Sequence, residues 1–205
     1  MDLKHRQEQL IDFVGGQWLV GNDSHVTGAY PRVDDKVLPG HLRDLVDERL
    51  NVRVADIHRP VLAIAGLLHD FDWDICPTPE DHPTYGAQIL RDHGYPEDII
   101  RAVLTHGEHT GIPRESQMEH TLFAVDELSG FIRAVGLVRP SKSLDDVTPK
   151  SVRRKLKDKN FAKDVSRDDI QKGADELGID LDEHITFIVE SMKPIAEQIG
   201  LAPSA

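Results

Sequence analysis

The stretch VLAIAGLLHD, residues 61–70, is an apolar run that ends on a histidine and an aspartate. Pro60 stands directly before it, and proline is favoured in the first turn of a helix. The stretch therefore predicts a buried helix that carries His69 and Asp70 at its C-terminal end. An aspartate beside a core needs a partner, because burying an unpaired carboxylate costs on the order of several kcal/mol. A divalent cation would be one such partner; the alternative is a histidine cap beside a solvated aspartate.

Two more helices are predicted directly after this one. His82-Pro83 opens TYGAQILRDHG, which stops at Gly94 because glycine readily adopts the left-handed conformation of a helix C-terminus. Pro96 then opens EDIIRAVLTH, whose apolar residues fall on one face, before a glycine ends it. The histidines of these segments, His82 and His106, therefore lie at a helix start and a helix end.

The rest of the chain continues the helical pattern. Ser116-x-x-Glu119 is typical of a capping box, and it precedes an apolar-periodic helix over about residues 117–136. Three shorter helices are predicted beyond it: one of about ten residues from Pro149, one from Ser166-x-x-Asp169 to Gly178, and one from Asp182 to about Ile199. No alternating run is long enough for a strand, and residues 14–40, rich in glycine, have no clear period and are interpreted as irregular structure or a hairpin. The sequence predicts an all-α fold with an irregular segment near its N-terminus.

The composition bounds the class of protein. The apolar fraction, 39%, is typical of a globular protein. The longest apolar run, residues 61–68, is far shorter than the roughly 20 residues of a membrane span, and the first residues lack the apolar stretch of a signal peptide. Cys76 is the single cysteine, so no disulfide can form within the chain. These features predict a cytoplasmic protein that does not enter a membrane.

The formal net charge of −12 argues against general affinity for nucleic acid or for an anionic membrane. The charge is unevenly distributed, because nine Lys or Arg residues stand against three Asp residues between Arg139 and Lys163. One basic segment in an acidic protein is compatible with a small anionic substrate. A homodimer is also compatible with the sequence.

Three further residues share the chemistry of the pair at positions 69 and 70. His82 and His106 lie at helix ends, and Asp126 lies inside an apolar helix, where an unbound carboxylate is costly. Each of them alone could be a cap or a buried hydrogen-bonding group. Their joint occurrence indicates a site for a metal that accepts nitrogen and oxygen ligands. Four other histidines are interpreted as surface or capping residues: His5, His93, His120 and His184.

Four segments together resemble the HD superfamily of metal-dependent phosphohydrolases: AGLLHDFDWD, DHPTYGAQIL, IIRAVLTHGEHTG and MEHTLFAVDELSGFI, which begin at residues 65, 81, 99 and 118. LVRPSKS and KSVRRKLKDKNFA, further on, resemble the basic tail of small bacterial members of unknown substrate. The resemblance implies an HD-domain helical bundle that occupies the chain as a single domain, residues 1–205. Within it, residues 41–145 would form the metal-site core and residues 146–205 the C-terminal helices.

The resemblance also implies the ligands of the metal site. Residue by residue these are His41, His69, Asp70, His82, His106 and Asp126. The first of them rests on spacing alone, since His41 lies 28 residues before His69. His58 is closer but stands directly before Arg59-Pro60, where a helix cap is expected, and His25 lies in the glycine-rich stretch. All three remain candidates for the first ligand.

One or two divalent ions are implied as cofactors, and Mn, Fe, Co, Ni, Zn or Mg would be compatible with these ligands. Such an ion lowers the pKa of a bound water towards neutrality, and Asp70 is the natural bridge between two ions. Asp72 and Asp74 could orient the attacking water or protonate the leaving group; as loop acids they could equally be solvated. His109 is a further catalytic candidate, as a hydrogen-bond donor to substrate or an additional ligand, with a surface position as the alternative.

Arg139 and Lys142 follow the helix of Asp126 and could bind a substrate phosphate. The sequence thus favours a metal-dependent phosphohydrolase acting on a nucleotide or a small phosphorylated metabolite. Two alternatives remain open. One is a diiron oxygenase, because some HD-fold proteins with this histidine pattern activate dioxygen. The other is a non-catalytic helical module stabilised by its metal.

Overall fold

The computed structural model describes residues 59–201, and the chain divides there into two compact units, residues 59–119 and 120–201. Within the described residues there are seven α-helices and no β-strand, which confirms the all-α prediction. The helices are α1 (Arg59–Leu68), α2 (Thr84–Asp92), α3 (Glu97–Thr105), α4 (Gln117–Leu137), α5 (Pro149–Leu156), α6 (Arg167–Leu177) and α7 (Leu181–Met192). The irregular segment expected at 14–40 lies outside the described residues, and the single-domain organisation remains a prediction.

In the first unit, α1 and α2 both pack on α3. Their buried apolar residues recur at helical spacing: Val61, Ala65 and Leu68 in α1, Ala87 and Leu90 in α2, and Ile100, Val103 and Leu104 in α3. Leu68 is fully buried, and burying a leucine side chain contributes about 1.5–3 kcal/mol. Because Leu68 is also the last residue of α1, this contact fixes the end of the helix against the core and so places the two residues that follow.

The end of α1 comes two residues earlier than predicted. The helix stops at Leu68, and His69 and Asp70 lie in the turn directly after it. The chain continues beyond α1 in further turns, in which the Trp73 N–H donates to the Asp70 carbonyl at 3.0 Å. Successive residues on a helix differ by about 100° in direction, so two neighbouring side chains can face one point only where the helix has ended.

The cap before α4 differs in part from the expected capping box. The Ser116 hydroxyl accepts from the Glu119 N–H at 3.2 Å, as predicted, but the Glu119 carboxylate accepts from the Glu115 N–H at 2.9 Å. The Arg101 guanidinium also holds that carboxylate, with Nε 3.2 Å from Oε1. Burial acts to raise the pKa of Glu119, but these hydrogen bonds outweigh it and lower the pKa below its ordinary value. The ion pair ties α3 to the first turn of α4.

The second unit has its own apolar core. It includes Leu128, Phe131, Ile132 and Val135 of α4, Val152 of α5, Ile170 of α6, and Ile185 and Val189 of α7. Helix α6 lies directly against the backbone of α4, because a Cβ added at Gly173 would lie 2.6 Å from the Ala124 Cα. That close approach requires glycine at position 173.

The last helix is shorter than predicted. The expected end near Ile199 is wrong: α7 stops at Met192, and a short 3-10 turn, Lys193–Ile195, follows. Pro194 explains the early end, because proline has no N–H to donate to the preceding helical turn. Helix α5 likewise has eight residues rather than about ten.

The longest described helix, α4, has 21 residues. A helix of that length reaches across a bilayer only if its residues are mostly apolar. Between residues 59 and 201 no helix combines the length and the apolar character that a membrane span requires.

Candidate metal centre

Four side chains of the first unit meet at the ends of its helices. His69 and Asp70 follow the last residue of α1, His82 stands two residues before α2, and His106 follows α3. The packing of α1 and α2 on α3 brings these three chain segments together. His82 and His106 are almost fully buried, whereas Asp70 keeps 56% of its side chain exposed. The group is therefore closed on the histidine side and open to solvent beside the aspartate.

The ligand-type atoms of this group lie within a few ångströms of one another. His82 Nε2 and His106 Nε2 are 3.2 Å apart. Asp70 Oδ1 lies 3.3 Å from His82 Nε2 and 3.5 Å from His106 Nε2, and Asp70 Oδ2 lies 3.2 Å from His69 Nε2. The carboxylate of Asp70 thus contacts all three imidazole rings.

The other nitrogen of each ring fixes its tautomer. His69 Nδ1 lies 2.8 Å from the Gly66 carbonyl oxygen, and His106 Nδ1 lies 2.5 Å from the Val103 carbonyl oxygen. His82 Nδ1 lies 2.7 Å from a carboxylate oxygen of Asp72. Carbonyl and carboxylate oxygens only accept, so each Nδ1 carries a proton, and in the neutral ring Nε2 then presents a lone pair.

This arrangement fits a divalent metal ion. Two acceptor nitrogens 3.2 Å apart cannot hydrogen-bond to each other, and their lone pairs repel. Two histidines bound to one ion at roughly 2.0–2.1 Å would have their nitrogens separated by about 2.8–3.4 Å at octahedral or tetrahedral angles. The carboxylate of Asp70 adds further acceptor oxygens 3.2–3.5 Å from the three Nε2 atoms. Three neutral imidazoles and one carboxylate make a suitable donor set.

Asp72 lies directly behind His82, on the Nδ1 side of its ring. Its side chain is fully buried; Oδ1 accepts from His82 Nδ1, and Oδ2 accepts from the Gly86 N–H at 2.8 Å. A Cβ at Gly86 would lie 2.7 Å from the Asp72 Cγ, so the Asp72 side chain fits in this position only because residue 86 is glycine. Because both oxygens of Asp72 are engaged, the carboxylate is placed to orient His82 rather than to touch a substrate.

His109 contacts the same part of the chain from the other side. Its Nε2 donates to the backbone carbonyl of His82. Residue 109 is largely exposed, in a short 3-10 turn, Glu108–Thr110, that follows α3. It therefore supports the main chain of His82, and a direct role in the reaction stays a prediction.

The remaining predicted residues fall in the second unit or outside the described chain. Asp126 is half-buried in α4, and Lys142 is exposed with a φ of 46°. Arg139 is half-buried, and its Nε has no hydrogen-bond partner within residues 59–201. The three candidates for the first histidine lie outside the described residues: His25, His41 and His58. For all of these, the assigned roles remain predictions.

Two features of the first unit were not predicted from the sequence, and the predicted exposure of one histidine is wrong. The pairing of Asp72 with His82 joins residues ten apart, and Trp73, the next residue, stands edge-to-face against His82 with ring centroids 4.8 Å apart. His184, interpreted above as a surface or capping residue, is instead buried, at 2% exposure, in the second unit. Apolar periodicity could have found it, because His184 shares a helix face with Leu181 and Ile188.

Comparison with known families fits the geometry. Residues 44–147, just over half of the chain, match the family model described as the HD domain. The chain belongs to the HD domain family. Searches of curated proteins and of solved structures gave no match. The HD match includes His69, Asp70, His82 and His106; of the candidates for the first ligand it includes His58, and it begins after His25 and His41.

Proposed function

We propose that this protein is a metal-dependent hydrolase of a phosphate ester, acting on a nucleotide or another small phosphorylated metabolite. The observation that carries the proposal is the 3.2 Å separation of the His82 and His106 Nε2 atoms beside the Asp70 carboxylate, in a chain of the HD family. A divalent cation would pair with all of these acceptors at once, whereas neutral imidazole lone pairs and a carboxylate repel one another at these distances.

Four ligands are proposed within the first unit: His69, Asp70, His82 and His106. Asp126 and His41 are proposed to complete the set, following the family pattern, for one or two ions. A bound divalent ion would supply Lewis acidity, lowering the pKa of a water and polarising a phosphoryl oxygen. The exposed side of Asp70 leaves room for that water and for the substrate to approach.

The other residues of the chain have supporting roles in this proposal. Asp72 keeps the proton on His82 Nδ1 and so keeps Nε2 free to bind the ion; this replaces the role in proton transfer considered from the sequence. His109 holds the backbone of His82. Arg139 offers a buried Nε without a hydrogen-bond partner within residues 59–201, and it is proposed with Lys142 as a contact for a substrate phosphate.

The test is hydrolysis by the full chain, purified without a chelating tag and reconstituted separately with Mn²⁺, Zn²⁺, Co²⁺, Ni²⁺, Fe²⁺ or Mg²⁺. Release of phosphate from nucleotides or phosphomonoesters, lost in Asp70→Asn and retained in Asp92→Asn, is the expected result. Asp92 is the matched control because it is an exposed aspartate of the same unit whose carboxylate accepts from the Gln88 amide and does not belong to the group of four. No turnover with any of these ions would contradict the proposal, and an oxidised diiron spectrum in such a protein would favour oxygen chemistry instead.

A further inference from the structure

Trp73 is a large apolar side chain left exposed beside the candidate metal centre. Its exposed fraction is 58%, although the next residue back, Asp72, is fully buried. An isolated exposed aromatic residue needs no explanation by itself. Trp73 differs because its position is fixed at the edge of a proposed reaction site.

Two contacts fix the tryptophan in place. Its backbone N–H donates to the Asp70 carbonyl at 3.0 Å, and its indole stands edge-to-face against the His82 imidazole, with centroids 4.8 Å apart and planes at 81°. Asp72, held by His82 and by the Gly86 N–H, anchors the backbone just before it. The indole is therefore only one imidazole ring away from the proposed ligand atoms, and more than half of its surface faces solvent.

The charges around the indole decide which part of a substrate could lie on it. Asp70 and Asp74, on either side along the chain, both have exposed carboxylates, which repel phosphate. An anionic group of the substrate is therefore attracted to the metal, and the part over Trp73 must be uncharged. A flat uncharged ring suits an indole face, because stacking removes apolar area of both from water.

We propose that Trp73 is a specificity residue that stacks on a planar aromatic ring of the substrate while its phosphate lies at the metal centre. This inference rests on the proposed phosphohydrolase function. It narrows the substrate to phosphate esters that carry such a ring, and it disfavours plain sugar or polyol phosphates.

Two probes with the same scissile bond test the inference: adenosine 5′-monophosphate and ribose 5-phosphate, in which a hydroxyl stands in place of the base. With the metal-loaded full chain, kcat/KM is expected to favour the adenosine compound by about tenfold, the size of one base–aromatic stacking contact. Trp73→Ala should bring the ratio close to one, and Trp73→Phe should retain most of the preference. Leu67→Ala, which removes a side chain of 55% exposure from α1, should leave the ratio unchanged.

A binding measurement separates this inference from the question of turnover. The chain has two tryptophans, Trp18 and Trp73, so a Trp18→Phe variant reports the emission of Trp73 alone. Adenosine 5′-monophosphate should quench that emission at concentrations where ribose 5-phosphate does not. Quenching of that kind without hydrolysis of either compound would uphold stacking and reject the proposed hydrolase.

The converse results overturn the inference. If both compounds are hydrolysed and Trp73→Ala lowers both rates equally, Trp73 merely covers His82. Equal quenching by the two probes, or none by either, would likewise reject a stacking role.

Discussion

The two units of this chain both bury histidines, and they treat them differently. In the first, the rings of His69, His82 and His106 are oriented through Nδ1, and their Nε2 atoms all face the Asp70 carboxylate. In the second, His184 donates from Nε2 to the Ala124 carbonyl at 2.9 Å, and its Nδ1 is buried without a hydrogen-bond partner in the described chain. Burial and an oriented ring are therefore common to both units. The convergence of several lone pairs on one point distinguishes a candidate metal site from a histidine of the core.

The largest expected effect comes from removing one of the imidazole rings whose Nε2 atom faces the Asp70 carboxylate. His106→Ala should weaken binding of Zn²⁺ or Mn²⁺ at least about 100-fold, more than loss of a residue that only supports a ligand. Competition with a chromophoric chelator measures the affinity, and elemental analysis gives the stoichiometry.

His93→Ala is the matched control for that experiment. His93 Nδ1 also lies 2.8 Å from a backbone carbonyl, that of Ile89, but its ring is exposed and has no place in the group of four. Equal metal affinities of the His106 and His93 variants would show that the group of Nε2 atoms around Asp70 does not bind the metal.

The next effect concerns Asp72, which accepts a hydrogen bond from the proposed ligand His82. Asp72→Asn removes the charge that holds the proton on His82 Nδ1, and an asparagine nitrogen cannot accept from either His82 or Gly86. Metal affinity should fall about 10- to 100-fold while the fold is kept, with chelator competition and circular dichroism as the two measurements. Asp74→Asn, at an exposed position, should change neither. A tight site in the Asp72 variant would mean that His82 needs no carboxylate to orient it.

A smaller effect is expected from adding a methyl group at Gly86, where it would overlap the Asp72 side chain. Gly86→Ala places a methyl group 2.7 Å from the Asp72 Cγ, so unfolding free energy should drop by about 1–3 kcal/mol, the cost of overpacking. Gly130→Ala in α4 meets nothing within 4 Å and should stabilise the protein by up to about 1 kcal/mol through helix propensity. Urea denaturation of the metal-free protein measures both. Similar values for the two variants would contradict the close packing around Asp72.

Local signals explain how much of the site could be predicted from sequence. Gly94 adopts a positive φ of 75°, and Pro96 precedes α3 directly, so neighbouring residues sufficed to place His82 and His106 near helix ends. The HD family match then confirms that the pattern of histidines and aspartates was correctly recognised at the level of the family.

Contacts between distant residues explain the rest. The Asp72–His82 hydrogen bond and the clearance at Gly86 depend on how α2 sits relative to the exit of α1. No propensity or cap encodes a distance between residues ten or fourteen apart. Exposure of Trp73 is a further property of packing, since its type alone favours burial. Roles depending on such contacts could not be assigned from residue types and spacing.

The smallest expected effect is the pH dependence of the second unit. Burial, only partly offset by the hydrogen bond to Ala124, lowers the pKa of His184 below its ordinary value of 6.5. The unfolded chain therefore binds a proton at this residue more readily than the folded one, so His184 destabilises the fold as the pH drops below about 6.5. His184→Gln keeps a donor for the Ala124 carbonyl but cannot titrate. The difference in unfolding free energy between this variant and the wild type, measured in urea with a chelator present, should shift in favour of the variant from pH 7.5 to pH 5. A difference that stays constant over that range would show that Nδ1 of His184 takes up a proton as readily in the folded as in the unfolded protein, and the contrast with the histidines around Asp70 would lose its physical basis.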